Sequence, residues 1–78
     1  MAKEDHPRFS IHIDGQHFEV EQTTMTGAQL KELAHKDQQY QLFLEGHGND
    51  PDEVVGDTSA VSIKNGMHFY TVPPATFG

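Results

Sequence analysis

The stretch of sequence that decides the fold is FSIHIDGQHFEV, residues 9–20. Apolar and polar residues alternate on both sides of its central Asp14-Gly15 pair, and this alternation is typical of two half-buried strands. Asp-Gly is the strongest short hairpin signal, because both central residues of a type I′ turn need a positive φ. A two-residue turn also fixes the register, so that Ile11 faces Phe18 and both strands bury the same side.

A helix is predicted after this hairpin. Thr26 and Gln29 have the spacing of a capping box, in which the hydroxyl and the amide satisfy free backbone N–H groups at the start of a helix. The apolar residues that follow recur at helical spacing and can cover the apolar face of the hairpin: Leu30, Leu33 and Ala34. We expect the helix to end near His35-Lys36, where positive charge favours the C-terminal end of the helix dipole.

Strands separated by turns and loops are predicted for the rest of the domain. The alternating or apolar segments lie at residues 40–44, 54–55, 61–63 and 67–72. A loop is predicted over residues 46–52 and a tight turn at residues 65–66. The Val-Val pair at 54–55 is expected to be a short buried piece, and the Pro-Pro pair at 73–74 ends the last strand because proline cannot donate to a strand ladder. The pattern predicts an α+β domain over residues 9–72, with a mixed sheet of four to five strands and one main helix on one face.

Two flanking segments are predicted outside this domain. Residues 1–8 are polar and charged, and we expect them to form a disordered leader. Residues 73–78 are expected to project as an extended tail that ends at Gly78.

The composition argues against several functions. The 78 residues include no cysteine, which excludes thiol catalysis and thiolate-held metal clusters and is consistent with a cytoplasmic protein. Twelve acidic residues against five basic ones give a formal net charge of −7, which argues against nucleic acid and anionic membranes as partners. The chain has no P-loop, dinucleotide-binding fingerprint or catalytic triad. We therefore expect neither an enzyme nor a bound cofactor.

Four short motifs resemble, in their order and spacing, those of bacterial ubiquitin-like proteins of the multiubiquitin type: Gly46-His47-Gly48, Gly56-Asp57, Val61-Ser62-Ile63 and Asn65-Gly66-Met67. The order of elements, with a helix after the first hairpin and a glycine-ended tail after the last strand, also resembles ubiquitin. The resemblance covers residues 9–78 and implies a ubiquitin-like β-grasp fold.

What the resemblance implies is conjugation to other proteins. In such systems an activating enzyme uses ATP to adenylate the terminal glycine carboxylate and passes it to an enzyme cysteine as a thioester. A conjugating enzyme then joins it to an amine, usually a lysine, of a target protein. These enzymes and the target would be the partners, and the chain itself is expected to be a monomer.

The resemblance assigns the conjugated carboxylate to Gly78. The tail presented to the enzymes would consist of Pro73, Pro74, Ala75, Thr76 and Phe77. The lysines that could accept a second copy are Lys3, Lys31, Lys36 and Lys64. The chain departs from ubiquitin in ending with Phe77-Gly78, since it has neither a diglycine nor arginines in the tail.

An exposed patch is predicted on the open face of the sheet. If Leu42 and Phe69 point inward, the residues that alternate with them point outward: Phe43, His68, Tyr70 and Val72. An aromatic cluster of this kind is suited to docking a protein, and ubiquitin uses a similar patch on this face. The alternative is ordinary surface apolarity, or an inward-turned Tyr70.

Six histidines suggest a metal site, but their positions favour surface residues. The hairpin register places His12 directly opposite His17 on the solvent face, close enough to share one ion. Two histidines do not make the closed shell of a structural zinc site, and catalytic zinc normally takes three protein ligands. We therefore predict no metal site.

The sequence is also compatible with two other functions. A sulfur carrier would also use a C-terminal glycine, as a thiocarboxylate, although such proteins usually end in diglycine. A non-covalent β-grasp adaptor would not need the tail at all. Retained function after deletion of the tail would favour the adaptor.

Overall fold

The computed structural model describes residues 8–75 of the chain. The leader predicted over residues 1–8 lies outside this range except for Arg8, and so do Thr76, Phe77 and Gly78. The described elements follow one another in the order β1 (Phe9–Ile13), β2 (Gln16–Val20), β3 (Thr24–Thr26), α1 (Gly27–Leu33), β4 (Gln41–Leu44), β5 (Glu53–Val55), β6 (Ala60–Ser62) and β7 (Met67–Val72).

The main sheet has five strands in the order β2-β1-β7-β4-β5. Its central pair, β1 and β7, runs parallel, whereas the other neighbouring strands are antiparallel. Residues of α1 and its C-terminal cap, Leu30 and Ala34, are buried in one cluster with Ile11, Leu42 and Phe69 from the sheet. The helix therefore covers one face of a mixed sheet, as the sequence predicted, and the architecture is an α+β β-grasp.

The first hairpin has the predicted turn and register. Asp14 and Gly15 have φ values of 54° and 80°, so both central residues adopt the positive φ that a type I′ turn requires. Ile11 pairs with Phe18, and His12 pairs with His17. Ile11 is fully buried, which confirms that the apolar side of the hairpin faces the core.

The helix begins as predicted and ends earlier. The backbone N–H of Thr26 donates to Gln29 Oε1 at 2.9 Å, and the backbone N–H of Gln29 donates to Thr26 Oγ1 at 3.2 Å, so the capping box is complete. The helix ends at Leu33 instead of near residues 35–36. The reason is that His35 adopts a left-handed φ of 58°, while the backbone N–H of Lys36 turns back to donate to the Lys31 carbonyl.

Two short strands form a separate two-stranded sheet that the sequence did not predict. β3 pairs antiparallel with β6, so that Met25 lies opposite Val61. β3 has only three residues, and its last residue also caps the helix, so its alternation was too short to recognise. The prediction that Val54 and Val55 form a short buried piece is also partly wrong. Val55 is buried, but Val54 is 60% exposed, because neighbouring residues of strand β5 point to opposite faces.

A close backbone approach joins the start of the helix to the loop before β6. The backbone N–H of Gly27 donates to the Ser59 carbonyl at 3.2 Å. A Cβ atom at position 27 would lie only 2.2 Å from the carbonyl oxygen of Gly56, so only glycine fits there without moving backbone. This contact fixes the entry of the helix against the second sheet.

Replacement of Gly27 by alanine is expected to destabilise the fold by about 2 kcal/mol, because the added methyl forces backbone apart in a packed site. Urea unfolding followed by circular dichroism measures the effect. Gly56→Ala is the matched control, since its Cβ would meet only the Ser59 hydroxyl, at 3.2 Å. We expect the control to change the free energy of unfolding by less than about 0.5 kcal/mol. Equal effects of the two substitutions would contradict this account of Gly27.

Candidate functional site

The open face of the main sheet carries an apolar row that crosses three strands. Phe43 of β4 lies between Val54 of β5 and Tyr70 of β7 in the strand register. The rings of Phe43 and Tyr70 are stacked, with centroids 5.1 Å apart and planes 8° from parallel. Val72, two residues beyond Tyr70, is 41% exposed on the same face. We call Phe43, Val54, Tyr70 and Val72 the sheet-face patch.

The structure brings together the residues that the sequence placed on this face. Phe69 is buried, so its neighbours His68 and Tyr70 point to the other side of the sheet. Phe43 and Tyr70 are half-buried by their mutual stacking, whereas His68 and Val72 are exposed. Sequence reasoning missed Val54, which extends the patch to the edge strand.

Tyr70 is held in place by a carboxylate from the loop before β5. The Tyr70 hydroxyl donates to Asp52 Oδ2 at 2.7 Å, and the backbone N–H of Gly46 donates to Asp52 Oδ1 at 2.8 Å. The Asp52 carboxyl group therefore binds both Gly46, at the start of the loop over residues 46–52, and Tyr70 of the patch. No local pattern predicts this contact, because its partners lie 18 positions apart and Asp52 belongs to a loop.

These hydrogen bonds shift two pKa values in opposite directions. The bond from the Gly46 N–H, with that from the Tyr70 hydroxyl, lowers the pKa of Asp52 below its ordinary value against a smaller opposing effect of desolvation. The bond to Asp52 raises the pKa of Tyr70, and desolvation and the negative charges of Asp52 and Glu45 act in the same direction. Both shifts favour the state in which an ionised carboxylate accepts from a protonated phenol.

Three histidines form a second row on the same face. His12 lies opposite His17 in the antiparallel pair and opposite His68 in the parallel pair. The His12 ring is 4.6 Å from that of His68 with planes 5° apart, and 5.2 Å from that of His17 with planes 45° apart. Within residues 8–75, no group of three or more His, Cys, Asp or Glu side chains is arranged to hold a metal ion. We call His17, His12 and His68 the histidine row.

Hydrogen bonds connect the turn of the first hairpin to the last strand, β7. Asp14 accepts hydrogen bonds from the Thr71 backbone N–H at 2.9 Å and from the Thr71 hydroxyl at 2.5 Å, and the Lys36 ammonium lies 3.6 Å from the carboxylate. Burial alone would raise the pKa of Asp14, but these three groups together lower it below its ordinary value. The end of β7, where the tail begins, is thereby fixed to the turn.

The lysines differ sharply in their surroundings. Lys31 is only 2% exposed, and its ammonium donates to the carbonyls of Gln38 and Tyr40, at 2.7 and 2.9 Å, and to Asp57 Oδ1, at 2.6 Å. In this conformation Lys31 cannot reach an incoming carbonyl carbon, which counts against its expected role as an acceptor. Its role here is structural, because it satisfies loop carbonyls that the sheet leaves unpaired.

The other candidate acceptors lie nearer to solvent or outside the described range. Lys64 is exposed, and the Lys36 side chain is 34% exposed beside Asp14. Lys3 lies outside residues 8–75. Of the predicted tail, Pro73, Pro74 and Ala75 are exposed after β7, whereas the structure does not describe Thr76, Phe77 and Gly78.

Within residues 8–75, three features define a ubiquitin-like β-grasp domain: the order of the sheet, the one helix on one of its faces, and the parallel pairing of β7 with β1. The family model described as Multiubiquitin matches residues 9–75, and the chain belongs to that family. Comparison with curated proteins and with solved structures found no match. In the part of the chain that is described, no helix is long and apolar enough to cross a membrane.

Asp52→Asn is expected to lower the pKa of Tyr70 towards its ordinary value, because a neutral amide no longer favours the protonated phenol. Absorbance of the tyrosinate, followed against pH in a Tyr40→Phe background, isolates the titration of Tyr70. The stabilisation that this bond gives is present below the ordinary tyrosine pKa of ~10 and is lost as pH rises through the raised value.

Asp50→Asn is the control for this measurement, since it removes the same charge from the same exposed loop without breaking the bond to Tyr70. We expect its titration curve to stay close to that of the Tyr40→Phe parent. If the two substitutions shift the curve equally, the loop's general charge and not the hydrogen bond sets the titration of Tyr70.

Proposed function

We propose that this protein is a ubiquitin-like modifier that is activated at Gly78 and joined through that residue to an amine of a target protein. The observation that carries the proposal is membership of the Multiubiquitin family over residues 9–75. The sheet-face patch supports it, because it offers a docking surface next to the strand from which the tail leaves.

The proposed chemistry needs no catalytic side chain from this protein. The Gly78 carboxylate attacks the α-phosphate of ATP, which gives an acyl adenylate and releases pyrophosphate. A cysteine thiolate of the activating enzyme then displaces AMP and forms a thioester. The amine of a target lysine finally displaces the enzyme thiolate and forms an isopeptide bond. ATP is a substrate of the activating enzyme here, and the cytoplasm supplies it.

The tail has properties that suit this role. Pro73 and Pro74 are exposed and fix φ at two successive positions, so less conformational entropy is lost when the tail is threaded into an enzyme channel. A terminal glycine has no Cβ, which lets its carboxylate reach an adenylate or a thiol through a narrow passage.

The docking surface for the activating enzyme is proposed to be the sheet-face patch together with His68. Stacked aromatic rings present a rigid apolar surface whose ordering costs little entropy on binding, and aromatic residues often dominate the energy of interfaces. The net charge of −7 favours a partner whose rim around the contact is basic.

Deletion of Gly78 is expected to abolish covalent adducts, because the carboxylate would then belong to Phe77, whose ring is too wide for the channel proposed above. Incubation with the cognate activating and conjugating enzymes and ATP, followed by a non-reducing gel and peptide mapping, measures the thioester and the isopeptide product. The truncated protein should unfold at the same urea concentration as the full chain, which separates lost chemistry from lost folding. Undiminished adducts would overturn the proposal, and a thiocarboxylate found on Gly78 would favour the sulfur carrier.

Joint replacement of Phe43 and Tyr70 by alanine is expected to weaken binding to the activating enzyme about tenfold or more, because it removes the central rings of the patch. Affinity is measured by titration calorimetry, and circular dichroism checks that both variants are folded. Glu32→Ala is the control, since Glu32 is exposed on the helix and lies away from the open face. Equal affinity of the double variant and the control would place the docking surface elsewhere.

A further inference from the structure

The turn before β7 contains the pair Asn65-Gly66, in which the side-chain amide of asparagine lies next to the least hindered backbone nitrogen in proteins. That nitrogen can attack the amide carbon and displace ammonia, a reaction known as deamidation. Both residues are exposed, so water reaches them. A Cβ at position 66 would meet no atom outside its chain neighbours within 4 Å, so crowding does not block the reaction.

In the fold, both reacting groups are bound to one residue of β1. The backbone N–H of Ser10 donates to Asn65 Oδ1 at 2.8 Å, and the backbone N–H of Gly66 donates to the Ser10 carbonyl at 2.7 Å. The first bond fixes the amide, and the second holds the proton that the Gly66 nitrogen must lose before it attacks. These bonds continue the parallel pairing of β1 with β7, which begins one residue later, where Ile11 lies opposite Met67.

We propose that Asn65 is a deamidation site that its bonds to Ser10 protect, and that it reacts when this end of the pairing between β1 and β7 opens. A modification that needs an open form proceeds at a rate set by the population of that form. The amount of product therefore measures how long a copy of the protein has spent open. The proposal does not depend on conjugation, so it stands or falls separately from the proposed function.

The reaction needs no partner other than water. The Gly66 nitrogen, after losing its proton, forms a bond to Asn65 Cγ, and the bond from Cγ to Nδ2 breaks. The leaving amide takes up a proton and departs as ammonia, which leaves a five-membered succinimide ring. Water then adds across one of the two C–N bonds of the ring and gives either aspartate or isoaspartate.

The two products affect the fold differently. Aspartate keeps an oxygen that can accept from the Ser10 N–H, and it adds a negative charge to an exposed turn. In isoaspartate the main chain runs through the former side chain, which adds one methylene between residues 65 and 66. The longer backbone cannot keep both bonds to Ser10 together with the register of Ile11 against Met67. We therefore expect isoaspartate to keep this end of the pairing open.

The first test compares the deamidation rate of Asn65 in the folded full chain and in the same chain unfolded in urea. Peptide mapping by mass spectrometry measures the rate, and a peptide of residues 61–70, with and without urea, corrects for direct effects of urea. We expect unfolding to raise the rate at Asn65 at least about tenfold. Equal rates in the folded and unfolded chains would overturn the proposal.

A matched pair of variants tests the role of Ser10 itself. Ser10→Pro removes the backbone N–H that binds Asn65 Oδ1, whereas Ser10→Ala keeps it and removes only the hydroxyl. In the folded state, we expect Ser10→Pro to raise the rate at Asn65 about fivefold or more and Ser10→Ala to leave it within about twofold. Asn49, the other asparagine of the chain, is the internal standard whose rate stays constant. Equal rates at Asn65 in the two variants would refute protection by Ser10.

Hydrogen exchange on the wild-type chain keeps the proposal falsifiable if Ser10→Pro folds poorly. The Gly66 N–H must leave the Ser10 carbonyl both to exchange with solvent and to react with Asn65, so one opening governs both processes. Nuclear magnetic resonance measures the protection of the Gly66 amide against exchange. We expect folding to slow exchange and deamidation by the same factor, within about threefold. A Gly66 amide that exchanges as fast as in the peptide of residues 61–70 would contradict the proposal.

Discussion

The parallel pairing of β1 with β7 is the interaction on which the rest of the structure depends. It joins the first strand to the last, so its entropic cost is that of closing almost the whole described chain. Burial of Ile11, Ile13 and Phe69, each 2% exposed or less, offsets that cost. Polar contacts fix the register at both ends, since Ser10 exchanges hydrogen bonds with the Asn65-Gly66 turn and the Asp14 N–H donates to the Phe69 carbonyl at 3.0 Å.

Both features of the open face follow from this pairing. It places His68 beside His12, which turns a two-residue histidine pair into a row of three. It also makes β7 a central strand with β4 on its other side, so that Tyr70 can stack on Phe43. The patch and the row therefore share strand β7.

The parts of the fold that depend on neighbouring residues could be predicted from the sequence. The Asp14-Gly15 turn needs two positive φ values, and few other residue pairs accept them. The box formed by Thr26 and Gln29 is equally local. The pairing of β3 with β6, the bond from Tyr70 to Asp52 and the burial of Lys31 were beyond prediction, because each depends on where distant segments meet and not on a local pattern.

Lys31 shows why composition alone misleads about a candidate site. By sequence it is one of a handful of lysines on an acidic protein, and nothing separates it from Lys36 or Lys64. In the fold its ammonium binds two loop carbonyls and the Asp57 carboxylate, so its charge is paired and its donors are satisfied. Removal of that side chain would leave the carbonyls unpaired beside the core, and a loss of conjugation after such a substitution would report on folding. An acceptor is therefore best sought first at Lys64, where substitution changes the available amine and little else.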